Sequence, residues 1–113
     1  MTRIYKIVPE VLWRTAEAQG RFEGSPVDLA DGFIHFSTAA QAGETARRHF
    51  HGQDGLVLAA FESQGLGDLR WEPSRGGDLF PHLYGPLDTA AALWVKPLPW
   101  NGSSHSFPEG WAA

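Results

Sequence analysis

The stretch Asp31-Gly32-Phe33-Ile34-His35-Phe36-Ser37-Thr38 places polar groups inside an apolar run. Phe33, Ile34 and Phe36 suit a buried strand, whereas His35 and the hydroxyls of Ser37 and Thr38 do not belong in a plain core. In an extended chain His35 and Ser37 point to one face, with Ile34, Phe36 and Thr38 on the other, so one face of this strand is chemical. Thr38 is followed three residues later by Gln41, the spacing of a capping box. The strand is therefore expected to run into a helix whose free N–H groups can hold an anion. A plainer reading stands beside this one: His35 is satisfied by a backbone carbonyl in the core, and Thr38 only caps its helix.

Downstream of Thr38, Ala39, Ala42, Ala46 and Phe50 recur at helical spacing and give a narrow stripe of small residues that lets a helix lie close to a sheet. Arg47, Arg48, His49 and His51 gather before Gly52, where positive charge complements the helix dipole. His49 and His51 are two apart and would point away from each other on a helix, so no metal site is expected there. Upstream, Ile4 to Val8 reads as a strand, and Pro9-Glu10 opens a helix anchored by Trp13 and stopped at Gly20. Residues 21–24 read either as a brief strand or as an exposed connection, and Pro26 to Asp31 is turn-rich.

Leu56 to Phe61 is a continuous apolar run expected to form a central strand covered on both faces. In Leu69-Arg70-Trp71-Glu72 strict alternation buries Leu69 and Trp71 and sends Arg70 and Glu72 together to the opposite face. Such a pair is usually a weak surface ion pair, and it gains meaning only if that face lines the same cleft as His35. Pro81 and Pro86 bracket His82 and Tyr84, which share a parity in an extended chain. That segment reads as a rigid presenting loop or a short edge strand. Ala90 to Val95 is expected as the last strand, followed by a loop-like tail over 100–113 that Trp100, Phe107 and Trp111 pin to the body.

At 113 residues the chain is expected to form one domain with a single core, residues 1–113, of the α+β class. Its 42% hydrophobic and 19% charged residues are those of an ordinary globular protein. The absence of cysteine removes thiol nucleophiles, disulfides and cysteine-based zinc sites, and no metal is expected. The start lacks the apolar run of a signal peptide, and no stretch reaches the length of a membrane span, so a cytoplasmic location is expected. A net charge of -4 argues against a broad nucleic-acid surface and leaves room for a small anionic ligand held by one or two arginines.

The Ile-Tyr-Lys-Ile-Val start with Trp13, then Asp-Gly-Phe-Ile-His-Phe-Ser-Thr, Leu-Arg-Trp-Glu and Phe-Pro-His-Leu-Tyr-Gly-Pro-Leu in this order, resembles the small bacterial domain of unknown function number 952. That family in turn resembles the ADP-ribosyltransferase superfamily, above all its histidine-histidine branch with the RNA 2'-phosphotransferases. The resemblance implies a compact split sheet, mixed or antiparallel, with two flanking helices and a cleft for NAD or an ADP-ribosyl group. It implies that His35 bonds a ribose hydroxyl with Ser37 and Thr38 on the same wall. His82 and Tyr84 would then stand across the cleft. The chain departs from the transferase pattern in two ways: Phe36 follows the histidine where glycine is common, and Glu72 precedes His82 instead of following it.

The residues themselves support a nucleotide-sugar ligand. Breaking an N-glycosidic bond creates an oxocarbenium-like centre that Glu72 can stabilise while Arg70 holds a diphosphate, with Tyr84 offering a ring and a hydroxyl. His35, Glu72 and His82 are thus the expected catalytic residues, and Ser37, Thr38, Arg70 and Tyr84 the expected ligand-binding ones. Two other classes stay open: a ligand-binding domain without turnover, and an unrelated hydrolase in which His35, His82 and Glu72 activate water.

Overall fold

All five residues from Ile4 to Val8 are buried, which requires that the first strand be covered on both faces. The computed structural model describes residues 2–112 and shows how. Strand β1 (Arg3–Pro9) is followed by helix α1 (Glu10–Gln19), strand β2 (Arg21–Phe22), helix α2 (Pro26–Asp31), strands β3 (Ile34–His35) and β4 (Ser37–Thr38), and helix α3 (Ala39–His49). Strands β5 (Leu56–Glu62), β6 (Leu69–Pro73), β7 (Leu79–Leu83), β8 (Leu87–Asp88) and β9 (Trp94–Leu98) complete the chain. A four-stranded sheet has the order β4-β1-β5-β9, a three-stranded sheet the order β3-β7-β6, and β2 pairs with β8. Every pairing is antiparallel, so the sheet is split as expected but contains no mixed pairing among the described residues.

The alternation of β1 and β5 divides the interior. Ile4, Val8, Val57, Ala59 and Phe61 meet Trp13 of α1, Phe22, Ile34, Phe36 and Leu83 in one cluster. Tyr5, Ile7, Leu58 and Ala60 meet Ala46 of α3 and the tail residues Phe107 and Trp111 in the other. The small residues of α3 bring it onto the sheet, as the sequence stripe requires. The tail is held by contacts as well as position: the Tyr5 hydroxyl donates to the Trp111 carbonyl at 3.1 Å, and Trp100 packs edge-on between His51 and His105.

Several expectations are corrected. The segment before Asp31 is a third helix, because Ser25 and Asp28 form a capping box with Pro26 at the first helical position. The segment around His82 is the central strand of the three-stranded sheet. A residue's N and O point to the same side of a strand, and the Pro81 carbonyl accepts from Phe36 N–H at 3.0 Å, so the missing proline donor faces the junction of β3 and β4. The last strand begins at Trp94, after a 3-10 turn over Thr89–Ala91, and runs through Pro97 on a sheet edge. Trp71 is exposed: alternation holds, but the sheet runs out beyond the core at that end.

Trp13 is fully buried against Phe22 and Phe61, and its indole N–H donates to Glu17 at 2.9 Å. Trp13→Ala is expected to lower stability by about 3–5 kcal/mol, read as a fall in the urea midpoint at unchanged slope.

Candidate functional site

The strand that carries His35 is divided between the two sheets. Ile34 and His35 pair with Leu83 and His82 of β7, while Ser37 and Thr38 pair with Tyr5 and Ile4 of β1. Because β4 covers only that end of β1, no strand among the described residues pairs with Lys6 to Val8 on this edge. A cavity of about 450 Å³ opens there, lined by Lys6 and Ile7, by His35, Ser37 and His82, by Asp31, and by Thr45, His49 and Phe50 at the helix side. His35, His82 and Arg70 lie in one row across β3, β7 and β6, and Glu72, two residues along β6 from Arg70, shares that sheet face.

His35 is oriented by a carboxylate that the sequence alone did not single out. Asp28, 1% exposed, accepts the His35 ring Nδ1–H at 2.7 Å and the His35 backbone N–H at 3.1 Å, both on Oδ1. Its Oδ2 accepts from the Ser25 backbone and hydroxyl, and Lys6 Nζ reaches both oxygens at 3.1 and 3.0 Å. Burial raises the Asp28 carboxyl, but the His35 bond, the Lys6 charge and the Ser25 N–H outweigh that and hold it well below the usual carboxylate range. Burial pushes the Lys6 ammonium below the usual lysine value, with Asp28 opposing. The second ring nitrogen of His35, Nε2, lies 3.0 Å from Asp31.

His82 has the complementary arrangement. Its Nδ1–H donates to Glu72 Oε1 at 2.8 Å, and the same oxygen accepts the Tyr84 hydroxyl at 2.7 Å. The His82 bond first and the Tyr84 bond second lower the Glu72 carboxyl, and Glu72 in turn raises the Tyr84 hydroxyl. In the first pair the carboxylate is buried and the histidine side chain is 34% exposed; in the second the histidine is 7% exposed and the carboxylate 33%. Phe33 stacks on His82 with ring centroids 4.0 Å apart, and the two histidine rings meet edge-on at 5.6 Å. A carboxylate at Nδ1 fixes the tautomer and leaves Nε2 for chemistry, the orienting role it has in hydrolase triads.

The other expected site residues divide. Ser37 lines the cavity and shares a hydrogen bond of 2.9 Å with Thr45. Thr38 is occupied as the cap of α3, where its N–H donates to Gln41 at 3.0 Å, and it does not line the cavity. Arg70 bonds Asp68 and lies over the Tyr84 ring at 4.4 Å, so it too is outside the cavity, as are Glu72 and Tyr84. Asp28 and Lys6 were legible in principle: Ser25-Pro26-Val27-Asp28 is a capping signature, and a lysine inside Ile-Tyr-Lys-Ile-Val needs a counter-ion if that strand is central. Asp31 and Phe33 carry no such signal. Among the described residues no group of three or more His, Asp or Glu side chains is arranged to hold a metal. No helix among them is long and apolar enough to cross a membrane.

Fold and cavity together define a small α+β domain with two carboxylate-oriented histidines on one sheet face. The chain belongs to the family described as Protein of unknown function (DUF952), which matches residues 7–95. It is similar to protein CC0527 from Caulobacter crescentus. The crystal structure of that protein is 52% identical, with a TM-score of 0.89 over 93% of this chain and 94% of that one. Its solution NMR structure is 54% identical, with a TM-score of 0.82 over 93% and 91% of the two chains. Among curated proteins none matches the chain. The sequence resemblance to domain 952 therefore holds, and the likeness to ADP-ribosyltransferases goes beyond these matches.

A lowered Asp28 carboxyl contributes stability that is present above its unfolded value, near pH 4, and is lost as the pH falls below it. Acid unfolding is expected to begin there, and Asp28→Asn is expected to flatten that limb. The same substitution leaves the Lys6 charge buried without its partner, so stability at pH 7 should drop by about 3–5 kcal/mol. Urea unfolding of both proteins between pH 3 and pH 7 measures the two effects, and an unchanged acid limb would assign it to other groups.

Proposed function

We propose that this chain binds a small ribose-containing ligand in the cavity beside β1: NAD, an ADP-ribosyl group or a 2'-phosphorylated nucleotide, in an ADP-ribosyltransferase-like manner. One observation carries this. Two histidines, each held at Nδ1 by a carboxylate, meet edge-on at 5.6 Å as cross-strand neighbours on one wall of a cavity of about 450 Å³, and not across it from each other as expected; that volume is ordinary for small-molecule sites. The resemblance supplies the ligand class, with His35 and Ser37 toward the ribose and His82 on the neighbouring strand. The histidines suit the ribosyl part and a phosphate attached to it, but the cavity offers a diphosphate no clamp of free basic side chains among the described residues. Among the described residues Lys6 is the one lysine or arginine lining the cavity, and Asp28 already holds its ammonium.

Glu72 has a changed role in this proposal. Its Oε1 is shared by His82 and Tyr84, so it positions the His82 ring instead of meeting an oxocarbenium centre directly. Arg70 would serve a phosphate only by leaving Asp68. The two carboxylate–histidine pairs also favour a second reading, an acid–base hydrolase in which one histidine takes a proton from water while the other gives one to the leaving oxygen.

Calorimetric titration with ADP-ribose and NAD tests the first reading. His35→Ala and His82→Ala are each expected to weaken binding by about 1–3 kcal/mol, the cost of an unpaired polar partner. His51→Ala, whose ring packs on Trp100 away from the cavity, should leave it unchanged. Wild-type protein that binds neither compound nor a 2'-phosphorylated nucleotide at millimolar concentration would overturn the ribosyl reading. Release of nicotinamide or of inorganic phosphate on incubation separates turnover from binding alone.

A further inference from the structure

We propose that the Asp31 carboxylate holds the place of an anionic ligand group at His35, so that the ligand of this cavity carries a phosphate whose oxygens displace it. The inference rests on the reading above, that His35 faces the ligand. His35 Nδ1 is committed to buried Asp28, which leaves Nε2 as the one ring nitrogen that a ligand can take. That nitrogen is met at 3.0 Å by Asp31 Oδ2, and both residues line the cavity. A carboxylate oxygen thus already sits where a ligand would meet this nitrogen, which marks the place as one suited to a negative oxygen.

The two carboxylates differ in how firmly they are held. Asp28 is closed in by Lys6 and Ser25, whereas the Asp31 side chain is 49% exposed and bonds to no other described residue. Asp31 is also the last residue of α2, and a negative charge at a helix C-terminus is unfavourable for the helix. What keeps it there is its contact with His35, an exposed pairing of the kind that contributes little and exchanges readily. A phosphate oxygen replaces this contact like for like, while a neutral hydroxyl would exchange a charge-assisted bond for an ordinary one. A site whose own side chain occupies the ligand's place has its apparent affinity reduced by the fraction of time that place is free.

Calorimetric titration of wild type, Asp31→Asn and the surface control Glu10→Gln with adenosine 2'-phosphate, adenosine 5'-phosphate and adenosine tests this. Asp31→Asn is expected to bind at least one of the two phosphates about three- to tenfold more tightly than wild type, with adenosine unchanged and Glu10→Gln indistinguishable from wild type. Weaker phosphate binding by Asp31→Asn would make Asp31 a ligand contact and overturn the inference. Equal tightening by Glu10→Gln, equal tightening for adenosine, or no change at all would overturn it as well. Adenosine binding without phosphate binding in both proteins would remove the phosphate while leaving the cavity reading in place. Failure of all three compounds on wild type and Asp31→Asn would remove both.

Discussion

A buried ion pair, Lys6 with Asp28, joins the parts of this molecule that carry the cavity. Lys6 is 4% exposed and Asp28 1%, and removing both from water is costly unless geometry and further hydrogen bonds compensate. For Asp28 they do, because it accepts from a lysine on β1, from the backbone and hydroxyl that start α2, and from the backbone and ring of His35 on β3, whereas at Lys6 burial still outweighs its partner. One carboxylate therefore sets the seat of α2, the entry into β3 and the orientation of the histidine. Structure and site share the same few atoms, so a change that frees the His35 ring also loosens the join between the sheets.

The second constraint is the division of residues 34–38. Phe36 is the hinge: its N–H donates to Pro81, its ring packs edge-on against Phe61, and the chain leaves the three-stranded sheet on one side of it and enters the four-stranded sheet on the other. Glycine at this position would give up a buried side chain that fills the angle between the sheets. The short reach of β4 along β1 leaves the edge at Lys6 and Ile7 open, and that opening is the cavity. Site and gap thus come from one topological feature.

The two histidines are not equivalent within this frame. Phe33 covers the face of His82, and Glu72 stands toward solvent behind it, so that ring is sheltered and its carboxylate is open. His35 is the reverse, a more open ring on a sealed carboxylate. An arrangement with one accessible and one sheltered imidazole suits a site in which the first meets the polar end of a ligand and the second is held fixed beside it.

Local rules were sufficient where they depend on near neighbours. Periodicity determined α1, α3 and the two-sided strand β5, and the Thr38–Gln41 spacing determined the cap of α3. Alternation determined that Arg70 and Glu72 share a face, and that face proved to be the one that His35 and His82 occupy through cross-strand register. What the tertiary structure decided is which of these groups reach the cavity. Asp28 and Lys6 lie 22 residues apart and meet only because β1 and α2 fold together, and Asp31 reaches His35 through the turn at Gly32. Beyond the cavity wall Tyr84 bonds Glu72 while Arg70, held by Asp68, lies over the Tyr84 ring, and Trp71 is left exposed where the sheet passes the end of the core. Period and parity fix which way a side chain points from its own strand, but partners across strands depend on where the sheet ends and what covers it. Those are properties of the packed molecule and not of any window of its sequence.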